Sequence, residues 1–193
     1  MDKYYISAEQ LLQDAFELGL AIVSSGFKPD FIIGVWRGGT PVAIAVQEVM
    51  NFVGISSDHF AIRTSSYTGI NERTEVKVQG LDYLSGKLNE AHSLLLIDDV
   101  FDTGYSLQQV LSELDLICKK KPPQVKIATP YFKPLNNKTA RIPDYYLHTT
   151  SKWLVFPHEL QGLEDTEIIY GKSGSKGLMQ RLCKLRESIK NNT

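Results

Sequence analysis

Four aliphatic residues, Leu94-Leu95-Leu96-Ile97, run without a break into two aspartates, Asp98-Asp99, and soon after into Asp102-Thr103-Gly104. An apolar run of this kind reads as a strand covered on both faces, and Ser93–Asp99 is the clearest strand of the chain. Two carboxylates at the end of such a strand raise each other's pKa and cost stability. The arrangement needs a compensating cation or a set of hydroxyl donors. Gly104 lets the backbone turn tightly. Tyr105–Cys118 then reads as a helix, with Leu107, Val110, Leu111, Leu114 and Ile117 at helical spacing. The N-terminus of that helix offers unpaired N–H groups, and the hydroxyls of Thr103 and Ser106 complete an anion cradle. Carboxylates for a sugar diol or magnesium beside a phosphate cradle describe a sugar-phosphate site.

The rest of the chain repeats the strand-then-helix alternation. Ser7-Ala8-Glu9-Gln10 reads as a capping box, followed by a helix with Leu11, Ala15, Leu18 and Ile22 on one face, stopped by Gly26 and Pro29. Phe31–Val35 reads as a buried strand, and Thr40-Pro41 as the start of a helix with proline at its first position. Further strands are expected at His59–Arg63, Val125–Thr129, Tyr145–His148 and Trp153–Phe156, and an amphipathic helix at Ser175–Ile189. Thr64–Gly80 is polar and poor in aliphatics, which predicts a long loop or a mobile hairpin. The pattern implies an α/β fold, a mostly parallel sheet with helices on both faces. Ligands of such sheets bind beyond the carboxyl ends of the strands. The loops after Val35, Asp99 and Thr129 are therefore the places to seek chemistry.

Plainer readings compete at the acidic step. Asp99 or Asp102 would serve as a helix N-cap alone. Asp-Thr-Gly is also the aspartic-protease tripeptide, but that chemistry needs two such loops in β-rich surroundings. Receiver domains end their first strand in two acids, near the N-terminus rather than at mid-chain. Neither G-x-x-x-x-G-K-[ST] nor G-x-G-x-x-G occurs.

Residues 94–106, an apolar strand, two acids, two residues, Asp-Thr-Gly and a hydroxyl residue, resemble the signature of the type I phosphoribosyltransferases. The resemblance implies a parallel-sheet fold with a small hood and lid region. It implies that Asp98 and Asp99 meet the ribose hydroxyls of phosphoribosyl pyrophosphate, directly or through magnesium. Asp102, Thr103, Gly104, Tyr105 and Ser106 would wrap the 5′-phosphate, and Asp102 would take the proton from purine N7. Arg37-Gly38-Gly39 is similar to the family's pyrophosphate loop, where the peptide corresponding to Arg37–Gly38 is often cis. Arg63 and Ser65-Ser66-Tyr67 resemble the mobile catalytic lid of the 6-oxopurine branch, with Arg63, Ser66 and Tyr67 as its residues. Lys133 would donate to the exocyclic oxygen at purine C6, Trp153 would stack on the purine, and Leu154 would read its edge through the backbone. Glu159 stands where the family places an aspartate near the pyrophosphate magnesium. With Asp98 and Asp99 it makes the implied metal set. No basic residue occurs between Glu159 and Lys172, where the family often has an arginine.

These matches run from about Phe31 to Glu159 and look like a hypoxanthine/guanine/xanthine phosphoribosyltransferase. The implied enzyme is a purine-salvage transferase with Mg2+ as cofactor, phosphoribosyl pyrophosphate and a 6-oxopurine as partners, and a homodimeric or homotetrameric assembly. A single domain over 1–193 is expected, with the lid at about 64–80 and the hood built from both termini. Two alternatives stay open. One is a phosphoribosyltransferase for another base. The other is a non-catalytic regulator sharing the fold.

Composition fits this frame. A chain of 193 residues, 42% apolar, buries one sizeable core and is too short for two ordinary domains. Its net charge of −1 gives no reason to expect nucleic acid or an anionic membrane. That sum hides a tail: Gly171–Thr193 holds six basic residues and one acid, leaving −6 on the remainder. A solvated basic helix is the simplest account of the tail, and a binding surface the sharper one. Two cysteines, Cys118 and Cys183, make no disulfide framework, and the four histidines lack metal-ligand spacing. A reducing cytoplasmic setting is expected, with no secretory signal and no membrane span.

Overall fold

A computed structural model of the chain describes residues 3–68, 74–118, 122–172, 174 and 176–191. It divides into two compact units, Leu12–Ser151 and a smaller one formed by Met1–Leu11 with Lys152–Thr193.

The larger unit is built on a sheet of β2 (Phe31–Trp36), β3 (Asp58–Thr68), β4 (Thr74–Gln79), β5 (Ser93–Ile97), β6 (Val100–Phe101), β7 (Gln124–Phe132) and β8 (Tyr145–Thr149). Its spatial order is β4-β3-β2-β5-β7-β8, and every pairing is parallel except the β3–β4 hairpin. Helix α2 (Gly39–Phe52) makes the β2–β3 crossover and α3 (Tyr105–Ile117) the crossover into β7, while α1 (Ala8–Ser24) precedes β2. Alternation along β2 sorts the faces. Phe31, Ile33 and Val35 join Leu94, Leu96 and Ile127 in a core with Leu107, Val110 and Leu114 of α3. The opposite face of β2 meets α2, where a Cβ on Gly34 would lie 3.0 Å from that of Ala43. Helix α1 packs on α2 at Gly19, whose absent side chain leaves room for Val49. The expected parallel α/β sheet with helices on both faces is the observed architecture.

Several boundaries differ for local reasons. Helix α2 starts at Gly39, so Pro41 occupies its third position, still inside the first turn where N–H groups have no intrahelical acceptor. Strand β7 continues through Pro130 to Phe132. The polar stretch 64–80 is a hairpin in which Thr64–Thr68 pair with β4 only, because β2 ends opposite Arg63. A ribbon that has left the sheet needs few apolar residues. Ser66 and Tyr67 pair through their backbone with Val76 and Glu75; their side chains and residues 69–73 lie outside the described residues.

The smaller unit joins β1 (Lys3–Tyr5) in parallel to β9 (Trp153–Val155) and adds α4 (Asp165–Gly171) and α5 (Lys176–Asn191). Val155, Leu163, Ile168 and Cys183 form its core. Helix α4 opens on a capping box between Glu164 and Glu167. Lys3 donates to Glu167, as does Tyr5 at 3.1 Å. The Lys3 ammonium, with the Glu164 N–H, holds the Glu167 carboxyl at about 2. A carboxyl depressed by folding stabilises the native state above its unfolded value of about 4.3, and that contribution is lost as pH falls towards about 2. The melting-temperature gap between wild type and Glu167→Gln is therefore expected to narrow from pH 5 to pH 2. A gap constant over that range would show that the pair does not couple to folding. No helix among the described residues is long and apolar enough to cross a membrane.

Candidate functional site

The site begins where β5 stops. Strands β5 and β6 both pair with β7, at Ser93–Ile97 and at Val100–Phe101, and both on the side opposite β8. Asp98 and Asp99 occupy the step between them. The Asp98 N–H still bonds to Ala128 O at 3.2 Å, and the Asp99 N–H donates to the Asp98 carboxylate at 3.0 Å. Burial and the charge of Asp99 push the Asp98 carboxyl well above the usual carboxylate range, against the pull of the Asp99 and Gly39 N–H groups. A cation or a polar ligand beside this pair would relieve that cost.

After the step, Phe101 seats the chain back in the core and Asp102-Thr103-Gly104 turns into α3. The N-cap of α3 is Gly104, at φ 83°, with no side-chain cap. Neither Asp99 nor Asp102 caps the helix, so the plainest reading of these acids does not apply. The Tyr105 N–H donates to Thr103 Oγ1 at 3.5 Å, and the N–H groups of Ser106 and Leu107 face no intrahelical acceptor. A Cβ at Gly104 would lie 2.7 Å from Thr139 Oγ1 and 2.9 Å from the Phe101 ring. Glycine is thus required here by conformation and by space. Asp98, Asp102, Thr103, Gly104 and Ser106 line one hollow of about 80 Å³. Tyr105, the first residue of α3, is exposed and does not line it.

The loop after β2 closes over the acidic step. A Cβ on Gly38 would fall 1.8 Å from Asp99 Oδ2, and one on Gly39 would fall 2.3 Å from Ile97 O and 2.6 Å from Asp98 Cα. The Gly39 N–H donates to Asp98. Arg37 is exposed at the head of this loop. The cis peptide bond is Trp36–Arg37, one bond before the position expected from the resemblance.

Lys133 follows β7 and is 6% exposed. Its Nζ donates to Asp102 Oδ2 at 2.9 Å, while Asn136 Nδ2 donates to Asp102 Oδ1 at 2.8 Å. Backbone bonds seat the same turn against the acidic loop: Lys133 N to Phe101 O at 2.9 Å and Lys138 N to Thr103 O at 3.0 Å. Asn136 was not among the residues expected from the sequence. Its only local signal is its place three residues after Lys133, at the end of a proline turn.

Arg63 is exposed at the last residue of β3 that β2 reaches. Trp153, Leu154 and Glu159 belong to the smaller unit. Trp153 is 52% exposed and Leu154 is buried in β9. The Glu159 carboxylate accepts the Phe156 N–H at 3.0 Å. Nearby, Lys172 is buried and donates to Phe156 O; burial pushes its ammonium down and Glu159 opposes that shift. No group of three or more His, Cys, Asp or Glu side chains that could hold a metal occurs among the described residues. The adjacent carboxylates of Asp98 and Asp99 fit a magnesium ion that draws its other ligands from substrate oxygens, the usual pattern for that ion.

The sequence profile of the phosphoribosyl transferase domain matches residues 6–163. A hypoxanthine-guanine phosphoribosyltransferase of Saccharomyces cerevisiae is 34% identical over 128 residues, 59% of this chain and 56% of the yeast protein. The matched region thus spans little more than half of that relative. A purine phosphoribosyltransferase from Pyrococcus horikoshii is similar in structure, with a TM-score of 0.67, 30% identity, and coverage of 85% of this chain and 99% of that one. A Neisseria gonorrhoeae protein solved with bound ppGpp superposes with a TM-score of 0.68 over 84% of this chain and 92% of its own, at 24% identity, a likeness of fold alone.

Proposed function

The chain belongs to the phosphoribosyl transferase domain family, and on that premise we propose that it transfers 5-phosphoribosyl from phosphoribosyl pyrophosphate to N9 of hypoxanthine, guanine or xanthine. The observation that carries this reading is the contact of the Arg37–Gly39 loop with the Asp98–Asp99 step. That contact joins an anion loop, a diol-binding acid pair and a phosphate cradle in one unit.

The chemistry follows from these parts. The bond from ribose C1 to the pyrophosphate oxygen breaks early, and its electron pair leaves with pyrophosphate. Purine N9 forms the new bond to C1, and the N7 proton passes to Asp102. Asp98 and Asp99 hold the ribose hydroxyls. The uncapped start of α3, with Thr103 and Ser106, takes the 5′-phosphate. Arg37 and the N–H groups of Gly38 and Gly39 receive charge as it develops on the departing group. Magnesium, when bound, would neutralise the pyrophosphate, and Asp98 and Asp99 would be its ligands. Lys133 selects the base through the exocyclic oxygen. Arg63, Ser66 and Tyr67 form the lid, which keeps water from the ribosyl cation. A cytoplasmic homodimer or homotetramer completes the proposal.

The deciding assay is nucleotide formation from each base with magnesium and phosphoribosyl pyrophosphate. At least one 6-oxopurine is expected to react, and adenine, uracil and orotate are not. Reaction with only the latter three, or with none, would overturn the assignment. Lys133→Ala is expected to weaken purine affinity about 10- to 100-fold, the worth of a hydrogen bond from a charged donor, with phosphoribosyl pyrophosphate affinity nearly intact. Equal loss of both affinities would argue against direct contact with the base.

A further inference from the structure

Asp102 is gripped at both carboxylate oxygens by one turn, and the two grips differ in chemistry. Lys133 holds Oδ2 with an ammonium at 2.9 Å, and Asn136 holds Oδ1 with an amide at 2.8 Å. The turn is itself closed by Asn136 N to Lys133 O at 3.0 Å. Its two backbone bonds to the acidic loop, at Phe101 O and Thr103 O, fall on the residues either side of Asp102. The turn therefore cannot shift without moving the carboxylate's neighbours as well.

In the reaction proposed above, Lys133 is needed at the exocyclic oxygen of the purine. When it turns there it leaves Oδ2, and Asp102 keeps one fixed partner. We infer that Asn136 is the positioning residue of this reaction: it holds Oδ1 while Oδ2 faces the purine N7 proton. This rests on the proposed function and deepens it. A neutral amide suits the task. It fixes the carboxylate by a directional bond, but adds no positive charge that would make the base weaker. A second lysine at 136 would hold Asp102 as firmly and blunt its basicity. Asp102 retains about two-fifths of its side-chain exposure. Without Asn136, rotation about its terminal torsion would be limited mainly by Lys133, the group that must let go.

Steady-state kinetics of Asn136→Ala and Asn136→Gln test this, with Leu135→Ala as the neighbouring control; Leu135 is 81% exposed. Asn136→Ala is expected to lower kcat about tenfold, the scale of a misplaced catalytic group, with both KM values near wild type. Asn136→Gln keeps an amide donor and is expected to recover part of that loss, while Leu135→Ala behaves as wild type. Crystallography without substrate gives a readout independent of turnover: with Lys133→Ala alone the Asp102 carboxylate is expected to stay in place on Asn136, and with Lys133→Ala and Asn136→Ala together it is expected to be rotated or in two rotamers. A kcat of Asn136→Ala within twofold of wild type, or an Asp102 carboxylate left in place in the double variant, would overturn the inference. A wild-type chain that forms no nucleotide defeats the proposed function instead, and the Asp102 rotamer still decides the positioning claim.

Discussion

Asp102→Asn is expected to lower turnover by about 10²- to 10⁴-fold, the range for loss of a general base, with only a modest loss of substrate binding. The substitution is isosteric, so the phosphate cradle keeps its shape. What changes is the ability to take a proton, and with it the pattern of donors. Asp102 faces two donors, Lys133 and Asn136, one at each oxygen. An asparagine there must turn its own amide N–H towards one of them. If the amide oxygen stays on Lys133, Asn136 flips its own amide and accepts that N–H through Oδ1, so both grips survive and only the proton acceptor is gone. If it stays on Asn136, Lys133 is released early to the purine oxygen. In both cases purine affinity survives better than kcat. The measurement is kcat with both substrates saturating, alongside KM for each. Turnover equal to wild type would remove the general-base role from Asp102, and a large rise in both KM values with kcat intact would make it a binding residue only.

How much of this could be read in the sequence depended on whether the cause was local. The β5 strand, the acid pair and α3 are each dictated by neighbours in the chain: a run of aliphatics, a glycine turn, an apolar stripe at helical spacing. They lie in the structure close to where the pattern places them. Strand β7 runs past the expected Val125–Thr129 to Phe132, because Pro130 falls opposite the gap between β5 and β6, where ladder pairing is interrupted. The ribbon of β3 and β4 carries no continuous apolar face, and only its pairing with itself makes it a strand pair. Strand β1 is too short to carry a pattern, and its partner, β9, lies about 150 residues along the chain. Asn136 is the extreme case. Its place three residues after Lys133 is all that marks it in sequence, because its role depends on β6 and β7 lying side by side and on what Asp102 does there.

The two glycines of the Arg37–Gly39 loop look equivalent in sequence, and the structure separates them into opposite expected phenotypes. Gly38 has φ −67° and ψ −36°, which any residue adopts, so its need for glycine comes from contact rather than conformation. A methyl group there meets the Asp99 carboxylate, with Oδ2 at 1.8 Å. A side-chain carboxylate can rotate away. Gly38→Ala should therefore fold with a melting temperature near wild type while Asp99 is driven from the ribose position. The expected result is a KM for phosphoribosyl pyrophosphate raised about tenfold or more, since displacement of a positioning group by an ångström costs that much. At Gly39 the obstacle is backbone, Ile97 O at 2.3 Å and Asp98 Cα at 2.6 Å, in the central strand of the sheet. Neither atom can turn aside, so α2 must lift off β5. For Gly39→Ala a loss of about 3 kcal/mol is expected, the upper range of overpacking. In a chain of this size that lowers Tm by about 6–12 °C, with activity lost as well because the loop and the acid pair separate. Thermal melts and substrate titrations of the two variants side by side decide the matter. A Gly38→Ala protein with wild-type KM would detach the loop from pyrophosphate binding, and a Gly39→Ala protein that melts like wild type would mean that the N-terminus of α2 is not seated on the end of β5.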